Sequence, residues 1–143
     1  MQISDILRHK QDNRVWTIAA DASVEQLLAE LAEHHIGAMI VSTSSEPIAG
    51  IVSERDVVRQ LNARGTDVLS AAVAEIMTRD VVHCAASDGV DAVATLMTER
   101  RIRHLPVLDG AAVVGVVSIG DVVSSRIREL QKDRDQLEQY ITG

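Results

Sequence analysis

At 143 residues, with 46% hydrophobic and 24% charged residues, the chain holds enough apolar material for a core of single-domain size and too much for end-to-end disorder. Aromatics are limited to Trp16 and Tyr140, so the core must be built from Val, Ile, Leu, Ala and Met, and the stacking platforms of single-strand nucleic-acid binders are missing. A net charge of −7 is the wrong sign for neutralising a phosphate backbone, no apolar run approaches a membrane span or signal-peptide core, and Cys84 stands alone; no nucleic acid, no membrane and a cytoplasmic location are expected.

The first expected element is a short extended segment, Val15 to Ile18. Val24, Leu27, Leu28 and Leu31 then fall at i, i+3, i+4 and i+7, an amphipathic helix opened by Ser23 with Gln26 three residues on, as in a capping box. Two apolar runs, Ala38 to Val41 and Ile48 to Val52, read as strands joined by the polar turn Ser42 to Pro47. A second helix follows Ser53, and Gly65 is placed to stop it. Thr66 to Met77 is Ala-rich with no Gly/Ser tract, which predicts a structured connection rather than a tether.

The order then returns. An extended segment at Val81 to Cys84 precedes a helix carrying Val90, Val93, Ala94 and Met97, and the strands Leu105 to Leu108 and Val113 to Val117 flank Asp109-Gly110, a hairpin signal. A last amphipathic helix, Asp121 to Tyr140, carries Val123, Ile127, Leu130 and Leu137; it packs on its own globule or reaches a second subunit. The segment Gly50 to Val58 reappears 65 residues later as Gly115 to Val123, which fixes two strand-helix-strand-strand-helix repeats. The predicted class is α+β, two tandem βαββα repeats packed face to face about a pseudo-twofold axis with an extended C-terminal helix. The expected boundary puts residues 1–68, lead-in included, in the first repeat and 69–143 in the second.

The repeated Gly-apolar-apolar-Ser-x-x-Asp carries the chemistry. Ser53 with Asp56, and Ser118 with Asp121, make acceptable helix N-caps. Duplicated after buried strands, they also set a carboxylate at matched helix starts facing the expected cleft, where it could accept two hydrogen bonds from vicinal ribose hydroxyls. Arg100, Arg101, Arg103 and His104 form a basic cluster that the first repeat lacks. Arg100 and Arg101 suit a solvated helix C-terminus, while Arg103, His104 and, beside Asp56, Arg55 are phosphate candidates. Adenine would need aliphatic walls and backbone groups: Thr17, Ile18, Ala38, the segment containing Val82 and Cys84, and Pro106.

These features, with Ile36-Gly37-Ala38 and Arg103-His104-Leu105-Pro106-Val107 ahead of the hairpins, resemble the CBS-domain family, whose paired repeats form the Bateman module. The resemblance spans roughly residues 15–61 and 81–128. It implies adenine nucleotides such as AMP, ADP, ATP or NAD(H), or S-adenosylmethionine, bound in clefts between repeats, with Ser53 and Asp56 on one ribose and Ser118 and Asp121 on the other. It further implies a regulatory, energy-sensing role, a homodimer formed through CBS-CBS packing and helices, and a protein effector.

Catalytic readings find no support. His34 and His35 are adjacent rather than spaced for a metal, glycine-rich phosphate loops are absent, and no Ser or Cys nucleophile has an evident base. The expectation is a sensor that is not an enzyme and requires neither cofactor nor metal. The rival is a ligand-independent dimerisation or interaction module in which Ser-x-x-Asp only caps helices.

Overall fold

The computed structural model describes residues 1–142. It divides the chain into two units, Arg14–Val82 and a second made of Met1–Asn13 with the residues from His83 onward.

In the Arg14–Val82 unit, β1 (Thr17–Ala19), β2 (Ala38–Ser42) and β3 (Gly50–Ser53) form a sheet in that order, β1 parallel and β3 antiparallel to β2. The crossover is α2 (Val24–His34), whose Ser23 hydroxyl accepts from the Gln26 N–H at 3.1 Å, so the expected cap forms. Val24, Leu27 and Leu31 of α2 are buried with Ile18, Met39, Val41 and Val52 of the sheet and Val57 of α3 (Glu54–Arg64). Gly65 ends α3 at φ +68°, as its placement predicts. The connection that follows is structured: two short 3-10 helices, Gly65–Ser70 and Val73–Glu75, contribute Val68 and Val73 to the same core, and Ile76 just after them joins it.

The other unit repeats the plan with β4 (Cys84–Ala85), α4 (Val90–Arg100), β5 (His104–Asp109) and β6 (Ala112–Ser118), ordered β4-β5-β6, followed by α5 (Ile119–Thr142). Only Cys84 of the segment expected as a strand at Val81 to Cys84 pairs, because β4 meets β5 from Val107 onward. That leaves Pro106 ahead of the parallel ladder, where its missing N–H forfeits no bond to β4. Gly110 takes φ +62° at the hairpin, and Ala112 pairs with Asp109, so the two-residue loop is Gly110-Ala111.

The expected boundary is corrected at both ends. The N-terminal lead-in forms α1 (Ile3–His9) and belongs with the second repeat: the Ile3 N–H donates to Asp88 O and the Ser4 N–H to Ala86 O, both at 2.9 Å. Residues 69–82, assigned from sequence to the second repeat, belong with the first, through Val73 N–H to Ala22 O at 2.8 Å and Ala74 N–H to Ala20 O at 2.9 Å. The two segments are themselves a repeat. Ser4-Asp5-Ile6-Leu7 matches Ala74-Glu75-Ile76-Met77, and Asp5 accepts from the Gln2 N–H as Glu75 does from the Ala72 N–H. Their apolar side chains complete cores that three short strands and two helices leave open.

This explains the repeated glycines. A Cβ on Gly50 would stand 2.7 Å from Met77 Sδ and 2.8 Å from Thr78 O, and one on Gly115 would stand 2.9 Å from Leu7 Cδ2. Gly50→Ala is expected to destabilise the protein by about 1–3 kcal/mol and Gly115→Ala by less, because a leucine methyl yields where a backbone carbonyl does not. Gly89→Ala, with nothing within 4 Å of the added carbon, serves as the control. Thermal unfolding of the three variants checks the order.

Candidate functional site

The antiparallel ladders set both Ser-x-x-Asp motifs. Ser53 is paired with Ala38 and Ser118 with His104, and the first helical N–H beyond each serine, that of Glu54 or Ile119, donates to Gly37 O at 3.0 Å or Arg103 O at 2.9 Å. Each unit thus gathers one cluster from two neighbouring strands and a helix start: Gly37, Ala38, Ser53 and Asp56 in one, Arg103, His104, Ser118 and Asp121 in the other.

The capping geometry is realised in both. Asp56 Oδ2 accepts from the Ser53 N–H at 2.8 Å and the Ser53 hydroxyl at 3.1 Å, while Asp121 Oδ2 accepts from the Ser118 N–H at 2.9 Å. In return the Asp56 and Asp121 N–H groups donate to their serine hydroxyls at 3.4 and 3.1 Å. A carboxylate offers about four acceptor positions, so capping through Oδ2 leaves Oδ1 with acceptor capacity. In Asp56 that oxygen lies 3.9 Å from Arg59 Nη1.

The remaining sequence candidates are more dispersed. Thr17 and Ile18 lie on β1, separated from Ser53 by β2. Ile18, Cys84 and Ala38 are core residues. Val82 is half-buried outside any strand, Pro106 is buried on β5, and Arg55 and Arg103 are exposed.

Lys10 is a site residue that sequence reasoning missed. Its Nζ donates to Val116 O at 2.8 Å and to Asp121 Oδ2 at 3.1 Å. A cavity of about 160 Å³ opens beside this pair, lined by Ile6, His9, Lys10, Asp121, Ser124 and Arg128. The only signal for it lay in the unrecognised lead-in repeat, where the residue matching Lys10 is Asp80; the two units therefore differ in charge at this position.

A family model for the CBS domain matches residues 3–63 and 73–128. The chain belongs to the CBS-domain family. The match begins at Ile3 and resumes at Val73, so it takes in both lead-in segments. Among curated proteins, the mitochondrial CBS domain-containing protein CBSX3 of Arabidopsis thaliana is 32% identical over 99% of this chain and 72% of its own length. Among solved structures, the CBS-domain protein ATU1752 of Agrobacterium tumefaciens superposes with TM-score 0.84 at 33% identity, covering 88% of this chain and 99% of that one. The CBS pair of protein MJ0100, solved with 5-methylthioadenosine and S-adenosyl-L-methionine, matches with TM-score 0.75 at 25% identity over 92% of this chain and 98% of that one. A tandem CBS pair is a regulatory module. Among the described residues no helix is long and apolar enough to cross a membrane.

Cys84 illustrates what burial does to the one thiol. Desolvation, and secondarily the charge of Asp88, pushes it up to about 11 from 9.0. At pH 8 about one molecule in a thousand then carries the thiolate, the reactive form. Ellman's reagent at pH 8 is expected to modify the folded protein about a hundredfold more slowly than the urea-unfolded chain; comparable rates would contradict the assignment.

Proposed function

We propose that this CBS pair is a regulatory sensor binding adenosine-containing ligands of the AMP, ADP, ATP or NAD(H) class, without catalysis. In this reading Asp121 and Asp56 accept hydrogen bonds from ribose hydroxyls, each beside its serine. Arg103 and His104 in one unit and Arg55 in the other meet phosphate. An adenine lies against Thr17, Ile18, Ala38 and Val82 in one unit and against Cys84 and Pro106 in the other, through aliphatic surface and backbone groups.

The observation that carries the reading is the duplicated carboxylate, oriented in both units by the same serine and by bonds to one oxygen only. The methylthioadenosine and S-adenosylmethionine held by the MJ0100 pair support the ligand class. Binding would signal, and so report energy state to an effector, only if the ligand favours one conformation over another. The cytoplasm suits a chain whose sole cysteine is buried and unpaired.

The test is ligand-dependent thermal stability. A ligand bound only by the folded state adds about 2.7 kcal/mol at a hundred times its dissociation constant, so AMP, ATP or NADH should raise the melting temperature with concentration. Asp121→Ala and Asp56→Ala should each remove much of that rise while leaving a folded protein, destabilised by about 1 kcal/mol through loss of the capping bond. A full ligand response in both variants would reject the ribose assignment.

A second reading rests on α5. Val123, Ile127, Leu130, Leu137 and Ile141 follow steps of four, three, seven and four residues along one stripe, interrupted at Arg134, and are 52%, 50%, 59%, 63% and 79% exposed. A homodimer formed through this helix together with CBS-CBS packing would bury it. Light scattering should then give twice the chain mass for the wild type and the single-chain mass for Leu130→Glu/Leu137→Glu; a monomeric wild type removes the dimer. A dimer indifferent to every adenosine ligand would make the chain an interaction module.

A further inference from the structure

The cavity beside Lys10 is not absorbed by that reading. Three basic side chains, His9, Lys10 and Arg128, line it against one carboxylate, Asp121, in a chain of net charge −7. Their donors are only partly used. Lys10 spends two of three donors, on Val116 O and Asp121, and His9 Nδ1 lies 2.8 Å from Asp5 O, a carbonyl to which it can only donate, which turns Nε2 to other partners. Arg128, on the exposed side of α5, makes no ion pair or side-chain hydrogen bond among the described residues and brings five N–H groups.

Size limits what can enter. A volume of 160 Å³ lies well below the roughly 300–1,000 Å³ of pockets that hold whole drug-sized ligands, yet it is several times the ~30 Å³ share of a water molecule. It accommodates one compact polar group. Spacing on α5 indicates which ligand end that would be: Asp121, Ser124 and Arg128 stand at i, i+3 and i+7, one face of the helix. A ligand gripped at Asp121 by its sugar would thus have a hydroxyl and a guanidinium next along the same face.

We propose that the His9, Lys10, Ser124 and Arg128 cavity is a phosphoryl-binding position, with Lys10 shared between the Asp121 carboxylate and the bound phosphate. The inference rests on the adenosine reading for the rest of the ligand, and it adds His9, Lys10 and α5 to Arg103 and His104, at the start of β5, as phosphoryl contacts. Lys10 gives it a second property: a phosphate would compete for the cation that joins the N-terminal segment to Asp121.

The experiment compares calorimetric titrations of AMP, adenosine and inorganic phosphate into wild type, Lys10→Met, Arg128→Met, Arg103→Met and, as a control, Arg126→Met, whose guanidinium contacts Asp91 and Glu129. Melting temperatures without ligand establish that each variant folds. Arg128→Met and Lys10→Met should each lower AMP affinity about tenfold relative to adenosine, the size of one charge-assisted hydrogen bond, with Arg126→Met unchanged. A preserved AMP-to-adenosine ratio in both, or a loss confined to Arg103→Met, overturns the proposal while leaving the adenosine reading intact. If the wild type binds neither nucleoside nor nucleotide, the adenosine reading fails and inorganic phosphate decides alone: binding lost in Arg128→Met supports the anion position, and no binding to wild type overturns it.

Discussion

The fold depends on one close approach made twice, in which the strand before each Ser-x-x-Asp motif runs against a lead-in segment with no room for a side chain between them. Gly50 meets Met77 and Thr78, and Gly115 meets Leu7. Without those segments each unit is a three-stranded sheet of very short strands, β1 having three residues and β4 two, covered by its helices alone. The lead-ins supply the missing apolar surface through Ile3, Ile6 and Leu7 in one unit and Val73, Ile76 and Met77 in the other.

That constraint also prepares the candidate site. The segment that presses Leu7 onto Gly115 delivers Lys10 to Asp121 three residues later, so the motif carboxylate of the second repeat is contacted by a residue from the opposite end of the chain. In the first repeat the carboxylate is met at longer range by Arg59, its own helical neighbour. Two copies of one motif consequently sit in different fields.

The helix-cap role of Ser-x-x-Asp is compatible with the proposed ribose role. A carboxylate fixed by bonds to one oxygen loses little conformational freedom when the other accepts from a ligand, and preorganisation of this kind lowers the cost of binding.

Periodicity and punctuation made the local fold legible from the chain alone. The i, i+3, i+4, i+7 pattern of Val24 to Leu31, the Ser23 cap, the Gly65 stop and the hairpin turn at Gly110 all depend on residues within one turn or one strand, and the duplicated Gly50 and Gly115 segments revealed the repeat and, with it, the family. What tertiary structure alone decided were the long-range partnerships. The lead-in repeat is four residues of weak similarity, Ser4 to Leu7 against Ala74 to Met77, and nothing in its own pattern states which sheet it covers. No local pattern singles out Lys10; only the chain's return 111 positions later brings Asp121 to it. Side-chain periodicity reports which face is buried, whereas the choice of the surface that buries it is made by shape and space in the assembled core.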